Sequence, residues 1–530
     1  MSETKSRRAR ARARSMTAGA AAATAITFAA YTLASGAPAG SAKVFPTHPF
    51  VPGSVVIASS EYPAQGDKNV QLGEPLLSGY PAVADGQYPD VFNNDITADG
   101  SFAVATPIEL TDVTPSGNQI NRTAVPTDQV TTSFSSKSEL AINFSTNGQD
   151  LSFSAYNAAP DALDSSNSNT PGVPDLTNPD TAGPFNRVAA DLDSNGNWTF
   201  TDSNAFSGDN GRAVVLNNAL GVFYAAGNSN NGASTTENAI TDSGGAQGFA
   251  QSFATQAAQA PGAAVTRLGN FTFKASDKFG KDTNFRGLTV YGGVVYLTKG
   301  SGSNGTNSVY FIDTTGTACS KTDGVGLPVS GASLPTLGGA PYQMCVLNGF
   351  NNLSAKGSSA PNIFPFGIWF ANANTLYVAD EGDGIMTSDA NPYDDAAAQT
   401  RAGLQKWVFN GTKWNLAYTL QSGLNLGQPY AVPAYPKGTN SATALPWAPA
   451  TDGLRTISGQ VNPDGTATIY AATSTVSGSG DQGADPNQVV KITDQLNASV
   501  PGSESFTTID GPQNRIVYRG VAVVPANYGS

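Results

Sequence analysis

A strand–turn–strand unit recurs along this chain, and this repeat constrains the fold more than any other feature. Each copy contains a short β-rich run, a tight polar turn and a second run that ends in small or polar residues. Turn dipeptides such as Asp99-Gly100 and Asp464-Gly465 suit the positive φ angles of tight hairpins. The complete copies begin at Asn94, Glu139, Arg212, Arg286, Phe366 and Arg455. Self-similarity of this kind predicts a β-propeller.

One further copy is divided between the two ends of the chain. Arg519–Pro525 forms a first strand with no partner after it, and Ser54–Pro63 matches the missing second strand. Pairing the first and last strands of a ring removes an open sheet edge. We therefore predict an all-β fold: a single seven-bladed β-propeller over residues 43–530, closed by N- and C-terminal strands in one blade.

The first 42 residues have the order of a secretory signal peptide. A basic segment up to Arg14 precedes an Ala-rich apolar stretch from Met16 to Leu33, and small residues follow to Ala42. A short membrane anchor is the alternative. We expect a secreted or periplasmic protein with no membrane span after signal removal.

Without this basic leader the formal charge of the chain falls from −12 to −17. Proteins bind nucleic acids largely by neutralising phosphates, so an acidic protein of this kind is a poor candidate for that partner. Mutual repulsion between acidic copies also favours a monomer.

The cysteine and histidine counts narrow the chemistry. Cys319 and Cys345 are the two cysteines, and in an oxidising compartment we expect them to form a disulfide. His48 is the single histidine. Histidine-based catalytic triads, clustered histidine metal sites and a haem with a proximal histidine are therefore disfavoured.

One repeat resembles a known class of propellers. The segment Phe366–Gly384, FGIWFANANTLYVADEGDG, resembles the hairpin that forms the inner strands of blades in the NHL and SMP-30-like class. The resemblance implies the propeller fold. It implies no particular reaction, because propellers host binding modules, hydrolases, lyases and lactonases.

In a propeller, the start of each inner strand and the end of each second strand converge on one mouth of the central channel. Arginine is frequent at these positions in an otherwise acidic chain. Guanidinium groups bind carboxylates, phosphates and sulfates through paired hydrogen bonds. We predict that this mouth binds an anionic small molecule or glycan, through Asn94, Arg212, Arg286, Lys299, Arg455 and Arg519.

Two alternatives to this binding site stay open. The arginines would instead lock blade to blade if they paired with Glu139, Asp380 or Glu381. The protein would then act as an extracellular interaction module with a protein partner.

The sequence leaves catalysis undecided. No nucleophile-elbow motif is present, and a general base would have to be Glu61, Glu139, Asp380 or Glu381. Tyr62 is a further candidate if nearby arginines lower its pKa. The enzymatic alternative is a lyase or hydrolase that acts on an acidic saccharide or ester.

A possible calcium site lies in the middle of the chain. Asp191, Asp193, Asn195 and Asp202 occupy positions 1, 3, 5 and 12 of an oxygen-ligand loop, which makes Ca²⁺ the one candidate cofactor. The flanking residues have the pattern of strands, and an ordinary β-hairpin with an Asn195-Gly196 turn is the alternative reading.

Overall fold

Short runs of β-branched and aromatic residues form the buried strands of the protein. Val294–Lys299 and Thr375–Asp380 are buried at every position. A strand buried on both faces lies between two layers of side chains, as it does when sheets stack face to face around an axis. The computed structural model describes residues 48–62, 104–134, 136–162, 165–166, 168–173, 184–228, 245–252, 262–271, 284–300, 305–356, 361–440, 443–478 and 483–530.

The described strands build six four-stranded antiparallel blades, which we number from the N-terminus. Strands are given from the channel outward. Blade I contains Ile516–Val523, Val55–Glu61, Ile108–Val113 and Gln119–Ala124. Blade II contains Ile142–Phe144, Asp150–Tyr156, Arg187–Asp193 and Trp198–Ser203. Blade III contains Gly211–Asn217, Val222–Gly227, Ala246–Ala250 and Thr266–Arg267.

The other three blades follow the same order. Blade IV contains Leu288–Tyr291, Val294–Lys299, Ser308–Asp313 and Tyr342–Leu347, and its outer strand also pairs in parallel with Gly269–Phe271 and Val325–Gly326. Blade V contains Pro365–Asn372, Thr375–Asp380, Gly403–Phe409 and Trp414–Leu420. Blade VI contains Ala450–Val461, Thr466–Val476, Val489–Gln495 and Thr507–Asp510. Outside the blades lie a helix, Asp394–Ala398, a 3₁₀ turn, Leu337–Gly339, and the two-stranded pair Ala105–Thr106 with Thr132–Ser133.

The ring closes in blade I, where strands from both ends of the chain pair. The C-terminal strand runs antiparallel to the N-terminal one, from Val55 opposite Val523 to Glu61 opposite Ile516. This closure agrees with the expected split blade.

The predicted number of seven blades is wrong, because the structure has six. The unit that begins at Asn94 lies mostly outside the described residues, and its last part, Ala105–Thr106, pairs with Thr132–Ser133 rather than forming a blade. The third and outer strands of blade I come directly after it, at Ile108–Val113 and Gln119–Ala124. The Asn94 unit therefore belongs to a connection inside blade I.

Adjacent inner strands approach through one recurring contact. The residue that follows Leu140, Arg286, Phe366, Arg455 or Arg519 lies against the backbone carbonyl of the corresponding residue in the next blade. We call this shared position, which Arg212 also occupies, the inner-strand start. The Ala141 amide donates to the Arg212 carbonyl at 3.2 Å, and the Thr456 hydroxyl donates to the Arg519 carbonyl at 2.6 Å. A Cβ on Gly367 would lie 2.6 Å from the Arg455 oxygen. Small residues at this position therefore let the blades pack closely around the channel.

The two faces of the ring differ in the length of their connections. We call the face where inner strands start the top, and the other face the bottom. Bottom turns between the first two strands are tight, at 145–149, 218–221, 292–293, 373–374 and 462–465. Top connections between the second and third strands are long, at 62–107, 157–186, 228–245 and 381–402. The top of the ring therefore carries the longer connections.

The predicted disulfide is confirmed. Cys319 and Cys345 are bonded, with Cα atoms 5.7 Å apart. The bond ties the bottom insertion 314–341 to the outer strand of blade IV. A crosslink of this loop length stabilises a fold by about 3–4 kcal/mol on the chain-entropy model. Separately, no helix among the residues described above is long and apolar enough to cross a membrane.

Candidate functional site: the top of the channel

Arginine occupies four of the six inner-strand starts: Arg212, Arg455 and Arg519 lie within their strands, and Arg286 lies two residues before its strand. These side chains surround the top of the channel. Glycine or another small residue follows each one, as the blade contacts require. Each of the four is at most 5% exposed. The predicted open mouth is therefore a buried cluster, and we call it the arginine ring: Arg212, Arg286, Arg455 and Arg519.

Two members of the ring are held by neighbouring loops. Arg212 Nε donates to Ser138 Oγ at 2.9 Å, and its Nη1 donates to the Phe285 carbonyl at 2.8 Å. Arg519 Nη2 donates to the carbonyls of Phe134 and Gly483. These acceptors lie in top connections, so both guanidinium groups fix the loops that cover the channel.

Arg455 forms an ion pair with Glu381 from the end of the second strand of blade V. The Nε–Oε2 distance is 3.3 Å, and both side chains are about 95% buried. Burial would raise the pKa of Glu381, but the charges of Lys137, Arg286 and Arg455 outweigh it and hold the pKa below its usual value. Glu381 is therefore an ionised partner of the ring and not a proton donor.

Arg286 differs from the other three. Its side chain is 4% exposed and lies over the Phe366 ring, 5.9 Å from the centroid, and Nε has no hydrogen-bond partner among the described residues. Burial lowers the pKa of Arg286, and the nearby Arg455 adds to that effect while Glu381 and Asp209 oppose it. A buried guanidinium nitrogen without a hydrogen-bond partner is costly, and an anion is the ligand that would offset this cost.

Glu139 enters the ring between blades II and III. It accepts hydrogen bonds from the Tyr156 hydroxyl and from Asn210 Nδ2, the latter at 2.9 Å. Burial raises the pKa of Glu139 despite these donors. Burial and the charge of Glu139 also raise the pKa of Tyr156 well above its usual value, so this tyrosine is not a base. The inner-strand start of blade II is Leu140, whose carbonyl Gly520 contacts, and not Glu139 as predicted.

Two further carboxyl groups lie beside Glu381. Asp380 accepts from the amides of Phe364 and Gly382 at 2.9 and 3.1 Å, and Asp452 accepts from the Gly384 amide at 2.8 Å. Burial raises the pKa of each to about 7, and the negative charge of Glu381 contributes. Both groups titrate near neutral pH.

The remaining predicted ligand residues are only partly placed. Lys299 is fully buried, and its Nζ donates to Asn307 Oδ1 at 3.1 Å. Asn94 lies outside the described residues.

Of the catalytic candidates, Glu139 and Glu381 lie at the arginine ring, whereas Glu61 and Tyr62 contact other groups. Glu61 lies on blade I, 3.9 Å from Arg122 Nη2. Tyr62 packs against Phe134 at 4.9 Å between ring centroids, with Arg515 over its ring. These contacts of Glu61 and Tyr62 are with groups outside the arginine ring.

The predicted calcium loop is a β-hairpin between the third and outer strands of blade II. Asp193 accepts from the amides of Asn195 and Asn197 at 2.9 and 2.8 Å. Asp202 pairs with Val188 across the strands, which places it on the opposite face from Asp191. Among the residues that the structure describes, no group of three or more histidine, cysteine or acidic side chains is placed to hold a metal ion. Calcium binding here stays a prediction.

Sequence reasoning missed the partners that loops contribute to the ring. Lys137 precedes blade II, yet its charge lowers the pKa values of Glu381 and Asp452, which belong to blades V and VI. Asp209 lies three residues before Arg212 and acts on Arg212 and Arg286. The one available signal was a charged residue shortly before an inner-strand start.

The comparisons with known proteins give no family. No protein-family model matches the chain, and no curated protein matches it. A structure of S. cerevisiae dbp5 bound to nup159, gle1, ip6 and adp shares 8% identity over 88% of this chain and 83% of that chain, with a TM-score of 0.27. An ACO/RPE65 chimera shares 7% identity over 80% of this chain and 59% of that chain, with a TM-score of 0.23. Similarities this low carry no argument about function, and the fold rests on the six blades themselves.

Proposed function

We propose that this protein is an exported propeller that binds a small anion at the top of its channel. The observation that carries the proposal is Arg286, a buried arginine whose Nε has no hydrogen-bond partner within the described part of the chain. Arg286 lies close to two other arginines: its charge lowers the pKa of Arg212, and the charge of Arg455 lowers the pKa of Arg286. A carboxylate, sulfate or phosphate would accept hydrogen bonds from Arg286 and reduce the repulsion between the arginines.

Export supports the same proposal. A basic, apolar and small-residue leader precedes the propeller, and a disulfide crosslinks blade IV. Disulfides persist in oxidising compartments outside the cytosol. The anion would therefore be an extracellular or periplasmic molecule, free or as part of a glycan.

Thermal unfolding of the purified chain tests the proposal. Sulfate, phosphate, glucuronate and citrate are compared with sodium chloride at equal ionic strength. A bound anion at about 100 times its Kd stabilises the fold by about 2.7 kcal/mol. We expect at least one anion to raise the melting temperature of the wild type and to have no effect on Arg286→Met.

Arg122→Met is the matched control. This arginine lies on the surface of blade I, 52% exposed, and pairs with Glu109 at 2.5 Å. It should keep the full response to the anion. A response that survives in Arg286→Met, or no response to any of the four anions, contradicts the proposal.

A further inference from the structure

A cavity of about 310 Å³ opens on the bottom face at the junction of blades IV and V. Five aromatic side chains form its walls, and residues 327–331 of the disulfide-tied insertion complete it. We call it the aromatic pocket, with walls Tyr291, Tyr296, Phe370, Phe409 and Trp414. It lies at the opposite face from the arginine ring and takes no part in the proposed anion site.

The aromatic walls are packed against each other and form a rigid surface. Phe370 stacks on Tyr291 with centroids 4.6 Å apart and planes 5° from parallel. Trp414 meets Phe370 edge to face at 5.9 Å and tilts against Phe409 at 5.5 Å. Large flat apolar faces held in this way bind ligands with little loss of side-chain freedom.

Two wall residues carry polar groups that have no partner among the described residues. Tyr296 and Trp414 are 6% and 5% exposed. Neither the Tyr296 hydroxyl nor Trp414 Nε1 makes a hydrogen bond within the part of the chain that the structure describes, and both side chains line the cavity. Neither polar atom is shut off from the cavity, so water can hydrate both when the cavity is empty. A ligand with polar groups would take the place of that water.

The charge of the pocket selects against ionic ligands. Among the residues that the structure describes, its lining contains no Asp, Glu, Lys, Arg or His. Its volume lies at the lower end of the range of about 300–1,000 Å³ for small-molecule sites. The ligand should therefore be neutral, about one or two rings in size, and both apolar and hydrogen-bonding.

We propose that the aromatic pocket binds a ring of a neutral saccharide. A pyranose ring offers a C–H face to the aromatic walls and hydroxyl groups to Tyr296 and Trp414. A sugar hydroxyl both donates and accepts, which matches a tyrosine hydroxyl and an indole N–H together. A proline-rich peptide also packs on aromatic walls, but its ring carries no hydroxyl and its backbone carbonyls only accept.

Fluorescence and calorimetric titrations test the saccharide site. Cellobiose, maltose and N,N′-diacetylchitobiose are the probes, and a proline decamer is the competing ligand. We expect saturable binding of at least one disaccharide below about 50 mM. Removing one neutral hydrogen bond should weaken that binding about five-fold in Tyr296→Phe and in Trp414→Phe, because each change keeps an aromatic ring. Calorimetry measures binding even where loss of Trp414 removes the fluorescence signal.

Trp198→Phe is the control for non-specific stacking. This indole stacks on Phe200 at 5.7 Å on the outer strand of blade II. Its variant should bind the disaccharide as the wild type does. Tyr291→Phe, at a half-buried wall position, repeats the test if Tyr296→Phe lowers stability. The proposal is overturned if no disaccharide saturates, if the pocket variants bind as the wild type does, or if the proline decamer alone binds.

Discussion

The two ends of the central channel are made of opposite kinds of side chain. At the top, arginines and carboxylates are buried together beneath long loops, and Glu381 with Arg455 is the central pair. At the bottom, a cavity of about 440 Å³ is lined mainly by inner strands, and no ionisable side chain lines it among the described residues. Its polar groups are amides and hydroxyls such as Asn143, Ser458 and Gln460. The same six strands therefore support an electrostatic site at one end and a neutral cavity at the other.

This difference follows from how the strands are connected. The tight turns between the first two strands of the blades add little chain over the bottom of the channel. The long top connections exclude water from the arginines and supply carbonyl acceptors such as those of Phe134 and Gly483. Burial strengthens each interaction between charges, and it also makes each unpaired charge costly. Single substitutions should thus have larger effects at the top than at the bottom.

The largest effect is expected at Glu381. Glu381→Gln leaves the Arg455 guanidinium buried without its carboxylate, and breaking a buried ion pair in this way costs about 3–5 kcal/mol. The free energy of unfolding from denaturant titration measures the loss. Gln460→Ala at the bottom is the control, because surface or hydrated sites usually change by less than about 0.5 kcal/mol. Equal losses at both ends would contradict the comparison.

The second prediction concerns pH. The folded pKa values of Asp380 and Asp452 are raised from 3.8 to about 7, so the folded protein binds protons more tightly than the unfolded chain. The stability that these groups contribute is present at pH 4 and is lost as pH rises to about 7. A change of three pKa units corresponds to at most about 4 kcal/mol for one carboxyl group. We expect Asp452→Asn to reduce this pH dependence by about 2–4 kcal/mol.

Asp464 in a bottom turn is the control for this titration. The Thr466 hydroxyl and amide donate to its carboxylate at 2.7 and 3.0 Å and lower its pKa. Asp464→Asn should leave the loss of stability between pH 4 and 7 unchanged. If Asp452→Asn unfolds with the same pH dependence as the wild type, Asp452 does not titrate as the structure indicates.

The sequence predicted the inner hairpins, the closure of blade I and the disulfide, because each depends on local pattern. The first two strands of a blade are strongly apolar, as in Thr375–Asp380 of blade V, and a recognisable turn joins them. The outer strand Gln119–Ala124 of blade I is mostly exposed and reads QINRTA, so its polar pattern did not identify it as a strand. The blade count failed for this reason.

The arginine register was also visible in the sequence, but its environment was not. Burial of Arg286 depends on loops that come from several blades. The charge of Lys137 lowers the pKa of Glu381, and the charge of Asp452 raises the pKa of Asp380, although the two residues of each pair are far apart in sequence. Pairwise contacts of this kind arise from the tertiary fold and leave no local periodicity.

The third prediction tests close packing near the top. A Cβ on Gly287 would clash with the backbone carbonyl of Phe366 in the next blade. Overpacking of this kind costs about 1–3 kcal/mol, and here the carbonyl belongs to a strand that cannot move without the ring. Gly287→Ala should therefore lower the free energy of unfolding by that amount. A stability equal to the wild type would show that adjacent inner strands are not in contact at this register.

The smallest effect is expected at Gly465 in the bottom turn of blade VI. This residue has φ +83°, and a Cβ there would meet no atom within 4 Å. Space is therefore available, and the cost of Gly465→Ala comes from the left-handed backbone alone, about 1 kcal/mol. Gly465→Asn should cost less, because asparagine adopts this conformation more readily than alanine. At Gly287 the order would reverse: asparagine is larger than alanine, so Gly287→Asn should be the more destabilising change. Denaturant titrations should therefore rank alanine and asparagine in opposite orders at the two positions. That result would show that close packing requires glycine near the top, whereas a left-handed backbone requires it in the bottom turns.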